Sequence, residues 1–307
     1  MKILNYGSCN VDYVYLLDHI VNVGETESSQ SLSVFCGGKG LNQSIAIARA
    51  GQNVYHAGCI GENGEFLSKI LTENGVNVDF LKSVDGENGH AIIQLSKSGE
   101  NSIFLYNGSN AKITKEDIDK TLSYFDKNDI VLLQNEISNV DYIVEKAHSK
   151  GLNIIFNPSP INENIKKIDI NKLSWIVLNE IEAKMITGCE KINEALKFFK
   201  ENYPLLAVVL TLGGDGSVYQ FENKIIFQPT FDVEAIDTTA AGDTFTGYFI
   251  AQIVKGKSIK NALETASCAA AISVTRQGAA PSIPKIEEVE QKLKELKPKK
   301  CDLSIEI

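Results

Sequence analysis

Apolar positions along the chain follow two regimes. From residue 129 onward, short and almost unbroken runs of Val, Ile and Leu alternate with longer stretches of helical period. The runs at 129–134, 153–157, 175–178 and 206–212 read as buried strands. Strands of this kind are expected where helices cover both faces of a parallel sheet. Residues 139–150, 181–186 and 193–202 read as the intervening helices, and 217–221 with 224–227 as an antiparallel edge. Helices at 241–254 and 258–275 close the core, and 287–296 is a polar last helix. The first third is less regular. Residues 2–8 and 54–60 read as strands of the core, and 37–50 and 65–73 as helices. Residues 11–17 and 31–35 alternate like strands with one exposed face. The short runs at 80–84, 91–96 and 102–106, separated by turn residues, predict an antiparallel flap. The expectation is an α/β fold with a central, mostly parallel sheet, helices on both faces, and a small β-sheet lid. It is expected to be one domain over 1–307, with the lid drawn from 11–17, 29–36 and 90–106.

Composition narrows the classes of function. The 307 residues carry 30 Lys and Arg against 39 Asp and Glu, a net charge of −9. With no Lys/Arg-rich block, that balance argues against nucleic acid and anionic membrane as partners. Cys9, Cys36, Cys59, Cys189, Cys268 and Cys301 form no C-x-x-C pair, and the four His are too scattered for a zinc site. Reduced core thiols are expected instead. No signal peptide is recognised at the start and no apolar run reaches membrane-spanning length, so the cytoplasm is the expected compartment.

Candidate chemistry gathers at strand ends. In open α/β sheets, ligands bind beyond the carboxyl ends of the strands. Asn10, Asp12, Glu136, Asn157, Asn179, Glu182, Thr211 to Gly216 and Asp243 all fall there. Any one of them serves equally well as a cap or turn residue; their shared position is what points to a site. The stretch Asp237-Thr-Thr-Ala-Ala-Gly-Asp-Thr-Phe-Thr-Gly247 places small residues at the start of a helix, with Thr238 or Thr239 as the expected cap. Unpaired N–H groups there make an anion site, and Asp243 beside it is suited to take a proton from a hydroxyl. Cys36-Gly-Gly-Lys-Gly-Leu-Asn42 fits neither the dinucleotide fingerprint nor the P-loop, because Gly40 follows Lys39. It brings backbone close to a small ligand, with Lys39 and Asn42 as hydrogen-bond partners, or it is simply a helix-opening turn. Thr211-Leu-Gly-Gly-Asp-Gly216 can lie along phosphates or serve as a hairpin turn.

Gly37-Gly-Lys-Gly-Leu-Asn-Gln43 and Asp237 to Gly247 are similar to the two signatures of the ribokinase and minor phosphofructokinase (PfkB-type) family of carbohydrate kinases. Gly7 to Asp12, Leu133 to Glu136, Asn157 to Pro160, Asn179 to Glu182 and Thr211 to Gly214 match in order and spacing, so the resemblance spans about 3–284. It implies an ATP-dependent sugar kinase, with ribose phosphorylated at O5 as the leading expectation. Another small sugar or a nucleoside is the alternative substrate, and a non-catalytic sugar sensor on the same fold the alternative class. By resemblance, Asp243 is the general base, and Ala240, Ala241 and Gly242 supply the anion-hole amides. Asn10, Asp12, Gly38, Lys39, Asn42 and Glu136 hold sugar hydroxyls. Thr211, Leu212, Gly213, Gly214, Asp215, Gly216, Gly242, Asn179 and Ser267 lie along ATP. Asn179 and Glu182 tune Mg²⁺ on the nucleotide, largely through water. Asp237, Thr239, Ser273, Arg276, Gly278 and Ser282 correspond to the loop that binds an activating K⁺. A homodimer formed through the β lid is also expected. The chain departs from the family pattern at His90, a candidate sugar contact, at Ser109, at Cys9, in the short loop 61–65, and in the tail after Lys300.

Overall fold

A computed structural model describes residues 1–300; Cys301 and the rest of the tail beyond Lys300 lie outside them. The chain opens with β1 (Ile3–Tyr6), β2 (Asn10–Leu17), β3 (Ser31–Gly37), α1 (Lys39–Arg49), β4 (Tyr55–Ile60) and α2 (Glu65–Glu73). Next come β5 (Asn77–Ser83), β6 (Gly89–Ser96), β7 (Asn101–Tyr106), α3 (Lys115–Leu122), β8 (Ile130–Gln134), α4 (Val140–Ser149) and β9 (Asn153–Asn157). The remainder is β10 (Trp175–Asn179), α5 (Glu180–Thr187), α6 (Ile192–Asn202), β11 (Ala207–Thr211), β12 (Gly216–Phe221), β13 (Lys224–Pro229), α7 (Ala241–Val254), α8 (Ile259–Ser273) and α9 (Ile286–Glu295).

Nine strands form the main sheet in the order β13-β12-β11-β10-β9-β8-β1-β4-β5. The seven from β5 to β11 run parallel, and β12 and β13 add the antiparallel edge. Alternate residues of each buried strand serve opposite faces. Ile3, Leu132, Val177 and Val209 pack with α1, α7 and α8 on one side. Leu4, Val131, Leu133, Leu178 and Val208 pack with α3, α4 and α6 on the other. That double burial is why these strands read as unbroken apolar runs.

A second sheet, in the order β3-β2-β6-β7, stands apart from the first. Residues 80–84, expected in the flap, belong instead to β5, the edge of the main sheet parallel to β4. The flap reading failed because β5 is partly exposed along most of its length, so it resembles the lid strands in pattern. The helix α3 was not anticipated. Thr114 and Asp117 cap it reciprocally, but it buries only Ile118, Thr121 and Leu122. Past α9 the chain returns to pair Pro298 with Phe231.

The helices α1 and α7 cross without a gap at Gly247. A Cβ there would stand 2.4 Å from Ala46 Cβ and 3.0 Å from both Gln43 O and Ile47 N. At the other end of α1, a Cβ on Gly40 would stand 2.6 Å from Gly7 Cα. Both glycines let α1 lie close against its neighbours. The Gly247→Ala variant must push α1 and α7 apart. It is expected to lose about 1–3 kcal/mol of stability, read as a lower urea midpoint with an unchanged m-value.

Candidate active site

The strand β1 lies between β4 and β8, where the strand order of the sheet reverses. The residues after β1, β8, β10 and β11 therefore reach the crevice at the carboxyl edge. A cleft of about 220 Å³ opens there, lined by Lys39, Asn157, Asn179, Glu182, Thr211, Ala240, Gly242 and Asp243 among others.

The floor of the cleft is the start of α7. Its N-cap is Ala240, in the left-handed region at φ 60° and ψ 11°, with no side chain capping the helix. This corrects the expected Thr238 or Thr239 cap: the Thr239 hydroxyl turns back to Asp237 Oδ1 at 2.5 Å. A left-handed alanine costs roughly 1–2 kcal/mol. The Ala241 N–H reaches Thr238 O at 3.2 Å and the Thr244 N–H reaches Ala240 O at 2.8 Å. The N–H groups of Ala240, Gly242 and Asp243 have no acceptor among the described residues. Unpaired amides at the positive end of a helix dipole suit an anion.

Asp243 itself is buried. Its Oδ2 accepts from Asn42 Nδ2 at 3.0 Å and its Oδ1 from Gln43 Nε2 at 2.8 Å. The same Asn42 keeps a buried Oδ1 without a partner. Glu136 faces the start of α1, its Oε2 accepting from the Ser8 hydroxyl and from the Lys39 N–H. A Cβ on Gly37 would fall 2.0 Å from Asp12 Oδ2, so the Asp12 carboxylate lies directly on backbone. Gly38 turns the chain at φ 94°. Asn10 is held from behind by Asn110, whose Nδ2 donates to Asn10 Oδ1 at 2.7 Å.

Three acids and one lysine thus lie close together, Lys39 and Asp243 in the cleft lining and Asp12 and Glu136 outside it. Burial, then the charges of Glu136 and Asp243, push the Asp12 carboxyl up to about 7. Burial also raises Glu136, against the opposing pull of Lys39. For Lys39 burial works against the charge, but Asp243, Glu136 and Glu182 together leave its pKa raised. The lysine makes no ion pair among the described residues, so its ammonium remains available to a ligand.

His90 does not join this group. In the second sheet it lies beside Val11, while Asp12 lies beside Ala91, so His90 shares a face with Tyr13 and not with Asp12. Its ring sits 5.8 Å from Tyr13 and 5.0 Å from Tyr106. The candidate sugar contact is therefore an aromatic packing residue of the lid. Strand alternation places it there.

On the far side of the cleft, Asn179 and Glu182 cap α5 reciprocally. Glu182 gives only Oε2 to that cap and uses Oε1 in no hydrogen bond within the described residues. That leaves one carboxylate oxygen for a hydrated cation, which fits Mg²⁺ carried mainly by phosphates and water. Thr211 lines the cleft. Residues 212–216 turn between the antiparallel β11 and β12, away from the cleft wall, and Lys299 Nζ donates to Gly214 O at 2.9 Å. Ser267 is buried on α8, outside the cleft lining. Of the K⁺ set, Asp237 binds the N–H of Thr239 at 2.9 Å and the N–H of Gly278 at 2.9 Å. These bonds outweigh its burial and hold its carboxyl below the usual range. Oδ2 keeps a lone pair free beside Gly278, which fits a cation ligand. The Arg276 side chain pairs with Glu288, and the hydroxyls of Ser273 and Ser282 bond Ala270 O and Ala279 O. Their side chains are thus occupied elsewhere, and any role at a cation falls to their carbonyls.

Sequence reasoning assigned no role to Gln43, Ser8 or Asn110. Gln43 stood in the Gly-rich stretch beside Asn42 and was the most accessible of the three.

Asp12 provides a pH test. Its folded pKa, about 7, exceeds its ordinary value of 3.8. Between those values the folded state binds more protons than the unfolded one, so this group's contribution to stability falls as pH rises from about 4 to 7. Asp12→Asn removes that loss. The variant is expected to be more stable than the wild type at pH 8, by about 1 kcal/mol or more, with the gain vanishing near pH 3.5. Urea melts at the two pH values measure it.

A family profile described as pfkB family carbohydrate kinase matches residues 1–286. A ribokinase of Haemophilus influenzae is 35% identical over 296 residues, covering 92% of this chain and 95% of the relative. The crystal structure of ribokinase from Thermotoga maritima superposes with a TM-score of 0.86 at 35% identity, covering 96% of this chain and 99% of that one. The structure of Arabidopsis thaliana ribokinase complexed with ribose and ATP superposes with a TM-score of 0.81 at 29% identity, covering 95% and 98%.

Proposed function

Since this chain belongs to the pfkB family of carbohydrate kinases, we propose that it transfers the γ-phosphoryl group of ATP to O5 of D-ribose. The observation that carries this reading is the base beside the anion site: Asp243, hydrogen-bonded to Asn42 and Gln43, next to unpaired N–H groups at the start of α7.

The ribose hydroxyls suit Asp12, Glu136, Lys39, Asn10 and the free Oδ1 of Asn42, a set of acceptors and donors that matches vicinal hydroxyls. Asp243 takes the proton of the 5-hydroxyl as that oxygen bonds to the γ-phosphorus. The bond from the γ-phosphorus to its bridging oxygen breaks, and ADP leaves with the electron pair. The amides of Ala240, Gly242 and Asp243 support the charge on the transferring group. Mg²⁺ supplies charge neutralisation on the phosphates, with Asn179 and Glu182 as its support. Asp237 and the carbonyls around it are the residues for an activating K⁺. The cytosol, where ATP is abundant, is the inferred site of action.

We also infer a homodimer. On the lid's edge strands β3 and β7, Leu32, Val34, Phe35, Ile103, Phe104, Leu105 and Tyr106 are all exposed. A second copy of the lid would cover them and pair their edges. Sedimentation should give twice the chain mass of 33.6 kDa; a monomer at micromolar concentration would exclude the dimer.

Turnover is tested by coupled ADP release with ATP, Mg²⁺ and K⁺ against ribose, deoxyribose, fructose, fructose 6-phosphate, adenosine and cytidine. Ribose is expected to be the preferred substrate, with Asp243→Asn lowering kcat by about 10²–10⁴-fold. Replacing K⁺ by choline at constant ionic strength should lower the rate. Preference for another substrate would keep the mechanism and change the sugar. Binding of ribose without turnover would replace the kinase reading by a sensor.

A further inference from the structure

Behind Asp243, on the side away from the cleft, lies a line of amide side chains that phosphoryl transfer as described leaves without a task. Gln43, Gln134 and Asn5 are each fully buried. Gln43 Nε2 donates to Asp243 Oδ1 at 2.8 Å and to Asn157 Oδ1 at 3.1 Å. Gln43 Oε1 accepts from Gln134 Nε2 at 2.6 Å, and that nitrogen also donates to Asn5 Oδ1 at 2.9 Å. Asn5 Nδ2 in turn donates to Gly40 O at 2.7 Å and Ser44 Oγ at 2.8 Å. Asn157 Nδ2 donates to Val177 O at 2.8 Å. The line is therefore anchored on main-chain carbonyls at both ends.

These bonds give every amide one sense. A flipped Gln43 would turn its carbonyl oxygen on the Asp243 carboxylate and its amino group on that of Gln134. Gln134 prevents the flip by donating to Gln43 Oε1. Its own Oε1 stays buried without a partner. A buried acceptor left unpaired is unfavourable, so Gln134 is oriented for its donors at the expense of its acceptor. The choice of amides also has a chemical consequence. Lys39 already faces Asp243 across the cleft, as do the acids Asp12 and Glu136 from behind; a second cation, in direct contact with the carboxylate, would weaken it further as a base. Amide donors orient it with far less of that effect, and they do not titrate.

Building on the assignment of Asp243 as base, we infer that Gln43 and Gln134 are positioning residues for phosphoryl transfer. Gln134 fixes the amide of Gln43, and Gln43 aims the Asp243 carboxylate at the sugar hydroxyl. Gln43 touches the base, and the Gln134 side chain hydrogen-bonds Gln43 and Asn5.

Two variants of the full chain test this with ribose as substrate and Asp243→Asn run alongside. Gln43→Glu sets a second carboxyl against Asp243 Oδ1. A like charge disfavours ionisation of the base, so the acid limb of log kcat/KM against pH is expected to move upward by about one pH unit or more. A merely structural loss would lower activity at every pH and leave the limb in place. Gln134→Met keeps the volume and removes the donor; kcat is expected to fall about tenfold with the KM for ribose held within about twofold. Circular dichroism checks that each variant folds, and if Gln43→Glu does not, Gln134→Met decides alone. A wild-type kcat in Gln134→Met, or an unmoved limb in Gln43→Glu, overturns the inference while the base assignment stands. Turnover undiminished in Asp243→Asn overturns the base assignment, and the inference falls with it.

Discussion

A buried carboxylate survives only where donors meet it, and at Asp243 both donors come from another helix. Asn42 and Gln43 sit in α1 and Asp243 in α7, so the bonds exist only if the two helices lie almost in contact. Gly247 and Ala46 make that approach possible. One steric condition thereby sets two parts of the cleft. It fixes the start of α7, with its unpaired amides, and the start of α1, with Gly38 and Lys39. The isolated charge would otherwise face a large desolvation cost. The left-handed Ala240 adds strain at the same junction, which persists because the packing on either side leaves the chain no other path.

The electrostatics of the cleft run against a first intuition about nucleotide binding. The chain carries net charge −9, and the cleft lining holds Asp243 and Glu182 against Lys39 alone, with Asp12 and Glu136 close behind. Attraction for a polyphosphate cannot come from the global field and must be local. Main-chain N–H groups supply it in fixed directions without counter-ions of their own. In the proposed reaction the acids are left to face hydroxyls. Burial, together with the neighbouring Glu136 and Asp243, raises the Asp12 carboxyl to about 7, and a hydroxyl that donates to the carboxylate would favour its ionised form.

What the sequence makes legible follows from how each feature is encoded. The strands from β8 to β11 and the helices α7 and α8 repeat a local period over their whole length, so they are readable. The helix α3 is short and buries little, and β5 is half-exposed; neither leaves a periodic trace distinct from loop or lid. Both signature stretches lie where expected, at the starts of α1 and α7, because Gly and Ala runs have few other uses there. The Thr238 or Thr239 cap was misjudged because a left-handed alanine has no local signal. His90 stays open in the sequence between a sugar contact and a surface lid residue, because proximity to the lid does not say which face a side chain takes; the register of β2 with β6 does. Gln134 and Gln43 meet across 91 residues of chain, and nothing local announces that contact.

The second sheet is tied to the main sheet at its root. The chain passes between the main sheet and the lid near residues 9, 37, 88 and 107, and side-chain amides cross-brace these passages. Asn88 Nδ2 donates to Cys9 O and Gly89 O, and its Oδ1 accepts from the Gly61 N–H. Asn110 Oδ1 accepts from the Cys9 N–H while its Nδ2 holds Asn10. Both asparagines are buried. Asn10 and Asp12 therefore stand on the best-braced part of a sheet whose outer strands are exposed along most of their length. The bonds at this root hold Asn10 directly, and Asp12 two residues further along β2.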